Sequence, residues 1–470
     1  MGNEISLPLA PARLFLVGIG GIGMSALAQL LRWQGYDVAG SDRGLNEAGK
    51  AELYGKLKLQ SIRLYPQDGS GVLKEKPDAL IVSTAVEEGN PDFCAIPGIL
   101  RIHRASALSQ ALMRIKATEP SAQMIAVGGS CGKTSVTGWI GAALKALGEP
   151  VLIVNGGYYS KEISVELPGN FYADSHPRWL VAEVDESDHS ILNYSPDYGV
   201  VLNISHDHYE LDELRRVFGE FLRHCAKGGI VLDGIKDVAP QTLPRVAVFG
   251  GDAIHYNNYA SGRDGITFDV PGFGRVKSGE FGEHSASNAT AVLATLSLLG
   301  LKASRAEMCA ALSQFHGIKQ RFELIGTTAA GVPVVNDYAH NPEKVAASMR
   351  AAMQRFGKRM LAVFQPHGFT PLRTMRAEFV QEISALAAHS EIHFVLLPVF
   401  YAGGTAIKSP TSAEVSDDLS AAGVDVEAGT REGVEALLAK ESWDCLLVMG
   451  ARDSSLRLWC KKLLKLAISN

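Results

Sequence analysis

Short apolar runs along this chain are repeatedly followed by longer stretches in which apolar residues recur at helical spacing. Met124–Val127 reads as a short buried strand, and Thr134 through Trp139, Ile140 and Leu144 as a helix. The same alternation predicts a strand at Leu14–Val17 and a helix over Met24–Trp33. Strands at Asp37–Gly40, Ala79–Val82 and Gly98–Ile102 and a helix over Ser106–Ile115 complete a first unit. A second unit carries strands at Val151–Val154, Trp179–Val184, Gly199–Asn203, Gly229–Leu232 and Val246–Phe249, and a helix over Ala289–Leu299. Beyond it come strands at Val332–Val335, Met360–Phe364, His393–Val399 and Asp444–Met449. They alternate with helices at Pro342–Phe356, Met375–Ala388, Ser412–Ala421 and Thr430–Leu438.

This pattern predicts an α/β protein of three domains: a Rossmann-like domain over 1–117, a central P-loop ATPase-like domain over 118–322 and a second Rossmann-like domain over 323–470, with Lys116–Ser121 as a linker. A chain of 470 residues is too long for one core, in agreement with that division. The net charge of −5 and the lack of a basic stripe argue against nucleic acid. No apolar run is long enough to span a bilayer and the N-terminus has no export signal, so a cytoplasmic protein is expected. The six cysteines show no CxxC spacing, which argues against disulfides and a zinc site. Cys131, inside a glycine turn beside Lys133, is either a reactive thiol or an inert loop residue.

Chemistry-bearing residues fall where predicted strands end. Gly128-Gly129-Ser130-Cys131-Gly132-Lys133-Thr134-Ser135 is a strand-to-helix turn suited to the phosphates of ATP. Its backbone can approach an anion closely, Lys133 adds a full charge and the Thr134 hydroxyl can ligate Mg²⁺. The turn is one residue tighter than the strict nucleotide-binding signature. Gly18-Ile19-Gly20-Gly21-Ile22-Gly23, with Asp42 about twenty residues on, is a second, diphosphate-binding turn. Ser83-Thr84-Ala85 and Asn90 follow a strand of the same unit. Two clusters, Glu183–Asp188 and Asn203–His208, bring carboxylates and imidazole near the ATP turn, with Glu183 and His208 as candidate Mg²⁺ ligands. His284 and Asn288 share one helix face, or else merely cap its start. In the third unit Asp337-Tyr338-Ala339-His340, Gln365-Pro366-His367 and Gly450–Asp453 follow strands.

In this order and spacing the motifs resemble the Mur ligases of peptidoglycan synthesis over essentially the whole chain. The resemblance implies that Gly18, Gly20, Gly21, Ile22, Gly23, Ser41, Asp42, Ser83, Thr84, Ala85, Asn90 and Arg104 hold a UDP-sugar. It implies that Gly129, Ser130, Cys131, Gly132, Lys133, Thr134, Ser135, His284, Asn288, Arg321 and Asp337 hold ATP. Mg²⁺ falls to Thr134, Glu183 and His208, catalysis to Lys133, Glu183, His208 and Arg321, and the acceptor to His340, His367 and Arg373. The implied reaction is ATP-dependent joining of an amino acid, L-alanine in the branch whose first loop fits best, to the carboxylate of UDP-N-acetylmuramate through an acyl phosphate, by a monomer or dimer. Several positions depart from the family pattern: Ser130 and Cys131 stand for Thr and His, Asn341 for a second His, and Gly368 for an Arg. An arginine is the natural clamp for an amino acid's carboxylate, so either Arg373 or Arg452 replaces it or the amine is not L-alanine. A ligase that adds a preformed peptide in muropeptide recycling, and a non-catalytic nucleotide-sugar sensor, are the rival readings.

Overall fold

Five parallel strands form the first sheet: β1 (Arg13–Val17), β2 (Asp37–Asp42), β3 (Arg63–Pro66), β4 (Ala79–Val82) and β5 (Arg101–His103), in the order β3-β2-β1-β4-β5. Chain order reverses between β1 and β4, which opens the crevice where ligands of doubly wound sheets sit. Gly18–Gly23 leaves β1 there and Ser83–Ala85 leaves β4. The strand expected at Gly98–Ile102 begins only at Arg101, because Gly98 turns the chain with φ +79°. Sequence reading missed β3 and the helix Ala51–Leu59 before it.

The second sheet comprises β6 (Gln123–Gly128), β7 (Val151–Val154), β8 (Phe171–Ala173), β9 (Trp179–Glu183), β10 (Tyr198–Val201), β11 (Gly228–Leu232) and β12 (Val246–Phe249), in the order β12-β11-β10-β6-β9-β7-β8. Only β8 runs antiparallel. β6 lies between β9 and β10, so the turn after β6 is flanked by Glu183 at the end of β9 and Asn203 just beyond β10. A small three-stranded sheet follows, of β13 (Asn257–Gly262), β14 (Gly265–Val270) and β15 (Gly274–Ser278). The third main sheet has β16 (Glu323–Thr327), β17 (Pro333–Asp337), β18 (Arg359–Phe364), β19 (Glu391–Leu396), β20 (Val426–Ala428) and β21 (Cys445–Met449). Its order is β16-β17-β21-β18-β19-β20, with β16 antiparallel to β17.

The computed structural model describes residues 6–161, 164, 166–205, 210–401 and 407–465. It divides into two units, one of Met1–Asn258, Phe268–Ser278 and Ser287–Ile318, the other of Tyr259–Thr267, Gly279–Ala286 and Lys319–Asn470. The first unit holds the first two main sheets because one apolar core joins them, running from Leu16 and Ile81 through Leu112 and Ile115 to Met124 and Leu180. Each such side chain contributes roughly 1.5–3 kcal/mol on burial. The expected linker is part of this structure: the helix Arg104–Thr118 runs into it, and the Lys116 ammonium pairs with Asp197 at 2.7 Å. Asp197 also accepts from the Met124 N–H at 2.8 Å, so the joint is tied to the start of β6.

Candidate active site

The helix Lys133–Ala146 starts on Gly132, which sits at φ +85° and has no side chain to cap the first helical N–H groups. Those groups and the helix dipole therefore point at whatever anion enters the turn. The turn itself is fixed by Asn203 beyond β10. The Asn203 Oδ1 accepts from the Cys131 N–H at 2.8 Å and its Nδ2 donates to the Cys131 carbonyl at 3.0 Å. Ser130 adds a reciprocal pair with Ser205: its Oγ donates to the Ser205 carbonyl at 3.2 Å and accepts from the Ser205 N–H at 3.0 Å. A Cβ on Gly132 would come within 2.8 Å of the Asn288 Oδ1, which places Asn288 against the turn.

The Lys133 ammonium donates to the Gly129 carbonyl at 2.7 Å and to both carboxylate oxygens of Glu186 at 3.0 Å. Burial works to discharge it, but Glu186, Asp185 and Glu183 outweigh that and hold its pKa above the ordinary value. The Thr134 hydroxyl donates to the Glu183 Oε1 at 3.1 Å, and the Glu183 Oε2 accepts from the Gly156 N–H at 2.8 Å. Hard oxygen donors on Thr134 and Glu183, lying side by side, fit Mg²⁺, which takes few protein ligands and fills its shell with water and phosphate oxygens. Among the described residues no group of three or more His, Cys, Asp or Glu could hold a metal by itself. His208 and Asp207 lie outside the described residues.

The Gly18–Gly23 turn is built differently. Gly18 and Ile19 N–H groups both donate to the Ser41 carbonyl at 2.9 Å, and Gly20 N–H donates to the Asp42 Oδ2 at 2.8 Å. The other Asp42 oxygen takes the Gly44 N–H at 2.7 Å and the Lys50 ammonium at 3.1 Å. Asp42 thus shapes the loop. A Cβ on Gly20 would lie 2.4 Å from the Tyr54 hydroxyl and 2.6 Å from Asp42. The N-cap of the next helix, Ile22–Trp33, is again a bare glycine, Gly21. Ser41 and Asn90 are fully buried: the Ser41 hydroxyl donates to Asp92, and Asn90 caps the helix Pro91–Ala95. Thr84 and Ala85 are exposed at the end of β4.

Arg104 joins the two turns. A Cβ on Gly23 would be 3.0 Å from its Nη1. Burial disfavours the charge on Asp185, yet Lys133, Ser187 and Arg104 together hold its carboxyl below the usual carboxylate range. Arg104 and Lys133 therefore act on one carboxylate. Nearby, His103 stands 3.6 Å from Asp188 and the Ser109 hydroxyl donates to the Asn193 carbonyl at 2.7 Å, so the loop after β9 is folded onto the first domain's last helix. Arg104, beside the first turn, thus lies within electrostatic reach of the acidic run beside the second.

In the second unit, Asp337 ends β17 and accepts from the Phe322 N–H at 2.8 Å and the Ala339 N–H at 2.6 Å. Arg321 lies over the Tyr338 ring, 5.0 Å from its centroid, between Gln320 and Phe322, whose φ values of 61° and 49° are left-handed. Such a conformation costs roughly 1–3 kcal/mol at a residue with a Cβ, and the bond to Asp337 offsets it. His340 and His367 meet edge to face at 5.0 Å beside Pro342, Phe364, Pro366 and Leu372. Burial, with Lys344 close by, pushes the His340 imidazole down to about 3. Asn341 caps the helix Pro342–Phe356, its side chain accepting from the Lys344 N–H at 2.9 Å. Arg373 donates to the carbonyls of Ile407 and Ser409. His284 sits within the helix Glu283–Leu298, which starts earlier than its apolar run, and burial lowers its pKa.

Three α/β sheets with a glycine turn, a lysine and a threonine–carboxylate pair at one strand end define a P-loop nucleotide-dependent enzyme of the doubly wound class. Residues 14–115 match the Mur ligase family catalytic domain, 127–296 the Mur ligase middle domain and 320–452 the Mur ligase glutamate ligase domain. The UDP-N-acetylmuramate–L-alanine ligase of Streptomyces avermitilis is 31% identical over 95% of this chain and 96% of its own length. That of Maricaulis maris is 31% identical over 96% of each. Among solved structures, the UDP-N-acetylmuramate-alanine ligase of Thermotoga maritima superposes with a TM-score of 0.77 at 23% identity, covering 96% of this chain and 98% of that one. A murein peptide ligase from Psychrobacter arcticus gives 0.69 at 19% identity over 96% and 98%. The chain belongs to the Mur ligase family and is a ligase of that three-domain architecture.

Gly156, Asn170 and Glu186 carry contacts at this site that sequence reading did not single out for roles. Only Glu186 left a trace, as part of the acidic run after β9.

Proposed function

We propose that this protein joins L-alanine to the carboxylate of UDP-N-acetylmuramate at the expense of ATP, in the cytoplasm, with domains bounded at 1–117, 118–322 and 323–470. The observation that carries the reading is the pairing of the two glycine turns in one unit, with Arg104 against Gly23 of the first and Lys133, Thr134 and Glu183 meeting at the second. The Gly18–Gly23 turn seats the UDP diphosphate and the Gly129–Ser135 turn the triphosphate. A carboxylate oxygen of the sugar acid attacks the γ-phosphorus, the bond to the bridging β–γ oxygen breaks, and ADP leaves with that electron pair. Lys133 neutralises charge on the transferring group, and such transfer needs alignment and electrostatics above all. Mg²⁺, held by Thr134 and Glu183 with His208, would supply further neutralisation of the phosphates. The amine, received by His340 and His367, then attacks the acyl carbon; the acyl C–O bond breaks, phosphate leaves with that electron pair, and the nitrogen gives up a proton to leave an amide.

One observation favours the peptide-adding alternative. Arg373 is engaged by backbone carbonyls and Gly368 offers no side chain, so a clamp for a free amino acid's carboxylate would fall to the exposed Arg452. Phosphate release with UDP-N-acetylmuramate, ATP and Mg²⁺ against single amino acids and short peptides separates the readings. Turnover with L-alanine supports the first, turnover with peptides alone the second, and silence across the panel overturns both.

A further inference from the structure

Asn170 lies far in sequence from both turns, in the segment before β8, and is fully buried. Its Nδ2 donates to the Ile22 carbonyl at 2.8 Å and to the Ser25 Oγ at 2.9 Å, while its Oδ1 accepts from the Gln29 Nε2 at 2.9 Å. Ile22 and Ser25 form the first turn of the helix that leaves the Gly18–Gly23 loop. The Asn170 carbonyl accepts from the Asn155 N–H at 2.9 Å. Asn155 immediately precedes Gly156, which donates to Glu183, and Glu183 accepts from Thr134. A path of hydrogen bonds and adjoining residues thus runs from Ile22 through Asn170, Asn155, Gly156 and Glu183 to Thr134.

The path has little slack. A Cβ on Gly156 would fall 2.4 Å from the Glu183 carboxylate, and one on Gly157 would fall 2.7 Å from the Thr134 methyl. Ser25, Gln29 and Asn155 are buried as well. Buried polar groups are costly unless satisfied, and the Asn170 amide is satisfied at both its nitrogen and its oxygen, which selects one geometry of the groups it joins.

We propose that Asn170 is a positioning residue for the ligation, fixing the registry of the UDP-sugar turn relative to the Thr134–Glu183 pair. This rests on the function proposed above. Loss of registry impairs the bond-making step more than the binding of either nucleotide, because a misplacement of about 1 Å can cost on the order of 10²-fold in rate.

The test uses the full-length protein with Asn170→Ala, and Gln29→Met as a milder variant that removes only the donor to the Asn170 Oδ1. Affinities for UDP-N-acetylmuramate alone and for a non-hydrolysable ATP analogue alone should stay within about threefold of wild type, while kcat for ADP release falls roughly 10²-fold in Asn170→Ala and less in Gln29→Met. In wild type each ligand should tighten the other by about fivefold or more, and Asn170→Ala should lose that coupling. Unchanged kcat and coupling in a folded variant overturn the proposal, as does a parallel loss of both single-ligand affinities, which marks a merely structural role. Wild-type protein that binds both ligands with coupling but turns over with no amine sinks the proposed function instead. The coupling measurement then still decides the role of Asn170. Should Asn170→Ala fail to fold, unchanged coupling in Gln29→Met overturns the proposal.

Discussion

Gly18–Gly23 and Gly128–Lys133 each carry a buried parallel strand into a helix whose N-cap is a bare glycine, yet they are completed by opposite chemistry. Around the first, a carboxylate, Asp42, accepts a backbone N–H of the loop and there is no lysine within it. Around the second, a neutral amide, Asn203, braces the loop, and a buried lysine faces Glu183, Asp185 and Glu186. A diphosphate that is only held needs helix N–H groups and a fixed backbone. A triphosphate whose terminal group must leave needs mobile charge close by, and three carboxylates keep that lysine protonated until phosphate oxygens compete for it.

The largest test of this contrast is Lys133→Ala. ADP release should fall by about 10²–10³-fold, the range seen when a key electrostatic stabiliser is removed, while calorimetric affinity for UDP-N-acetylmuramate changes less than about threefold. Equal loss at both sites would mean that the turns are not separate seats.

Next come paired glycine changes. Gly20→Ala drives a methyl into Asp42 and Tyr54, and Gly156→Ala drives one into Glu183. The first should raise KM for the nucleotide sugar by about tenfold or more, with kcat less affected. The second should lower kcat by a similar factor, since tenfold corresponds to about 1.4 kcal/mol and overpacking typically costs 1–3 kcal/mol. Steady-state kinetics with each substrate varied checks the split, and an exchange of the two phenotypes would break the comparison.

Asn203→Ala removes two bonds from the Gly128–Lys133 turn, worth roughly 0.5–1 kcal/mol each, and should raise KM for ATP by roughly tenfold while leaving the sugar's KM alone. The smallest effect concerns stability in the other unit. His340 titrates near 3 when folded and about 6.5 when unfolded, so below pH 6.5 the unfolded chain takes up a proton that the folded chain refuses. Its contribution is complete above pH 6.5 and is lost as pH falls. Denaturation at pH 7 and pH 5 should show wild type losing no more than about 2 kcal/mol relative to His340→Asn, and a zero or reversed difference would remove the buried neutral imidazole from the account.

The amino-acid order alone determined the α/β plan with three main sheets and the place of both glycine turns, with Lys133, Thr134 and Glu183 at strand ends, because strand-to-helix alternation and glycine turns are written in neighbouring residues. It left out what depends on partners far along the chain. Lys116 in the expected linker is pinned to Asp197, β3 is only half-buried and carries no buried apolar run, β8 has three residues, and Asn341 serves as a helix cap. Only the tertiary structure decided that Arg104 and Lys133 act on one carboxylate, that Asn203 braces Cys131, and that Asn170 reaches back to Ile22. A hydrogen bond or a field depends on distance in space, and residues brought together by folding leave no local pattern from which that distance can be read.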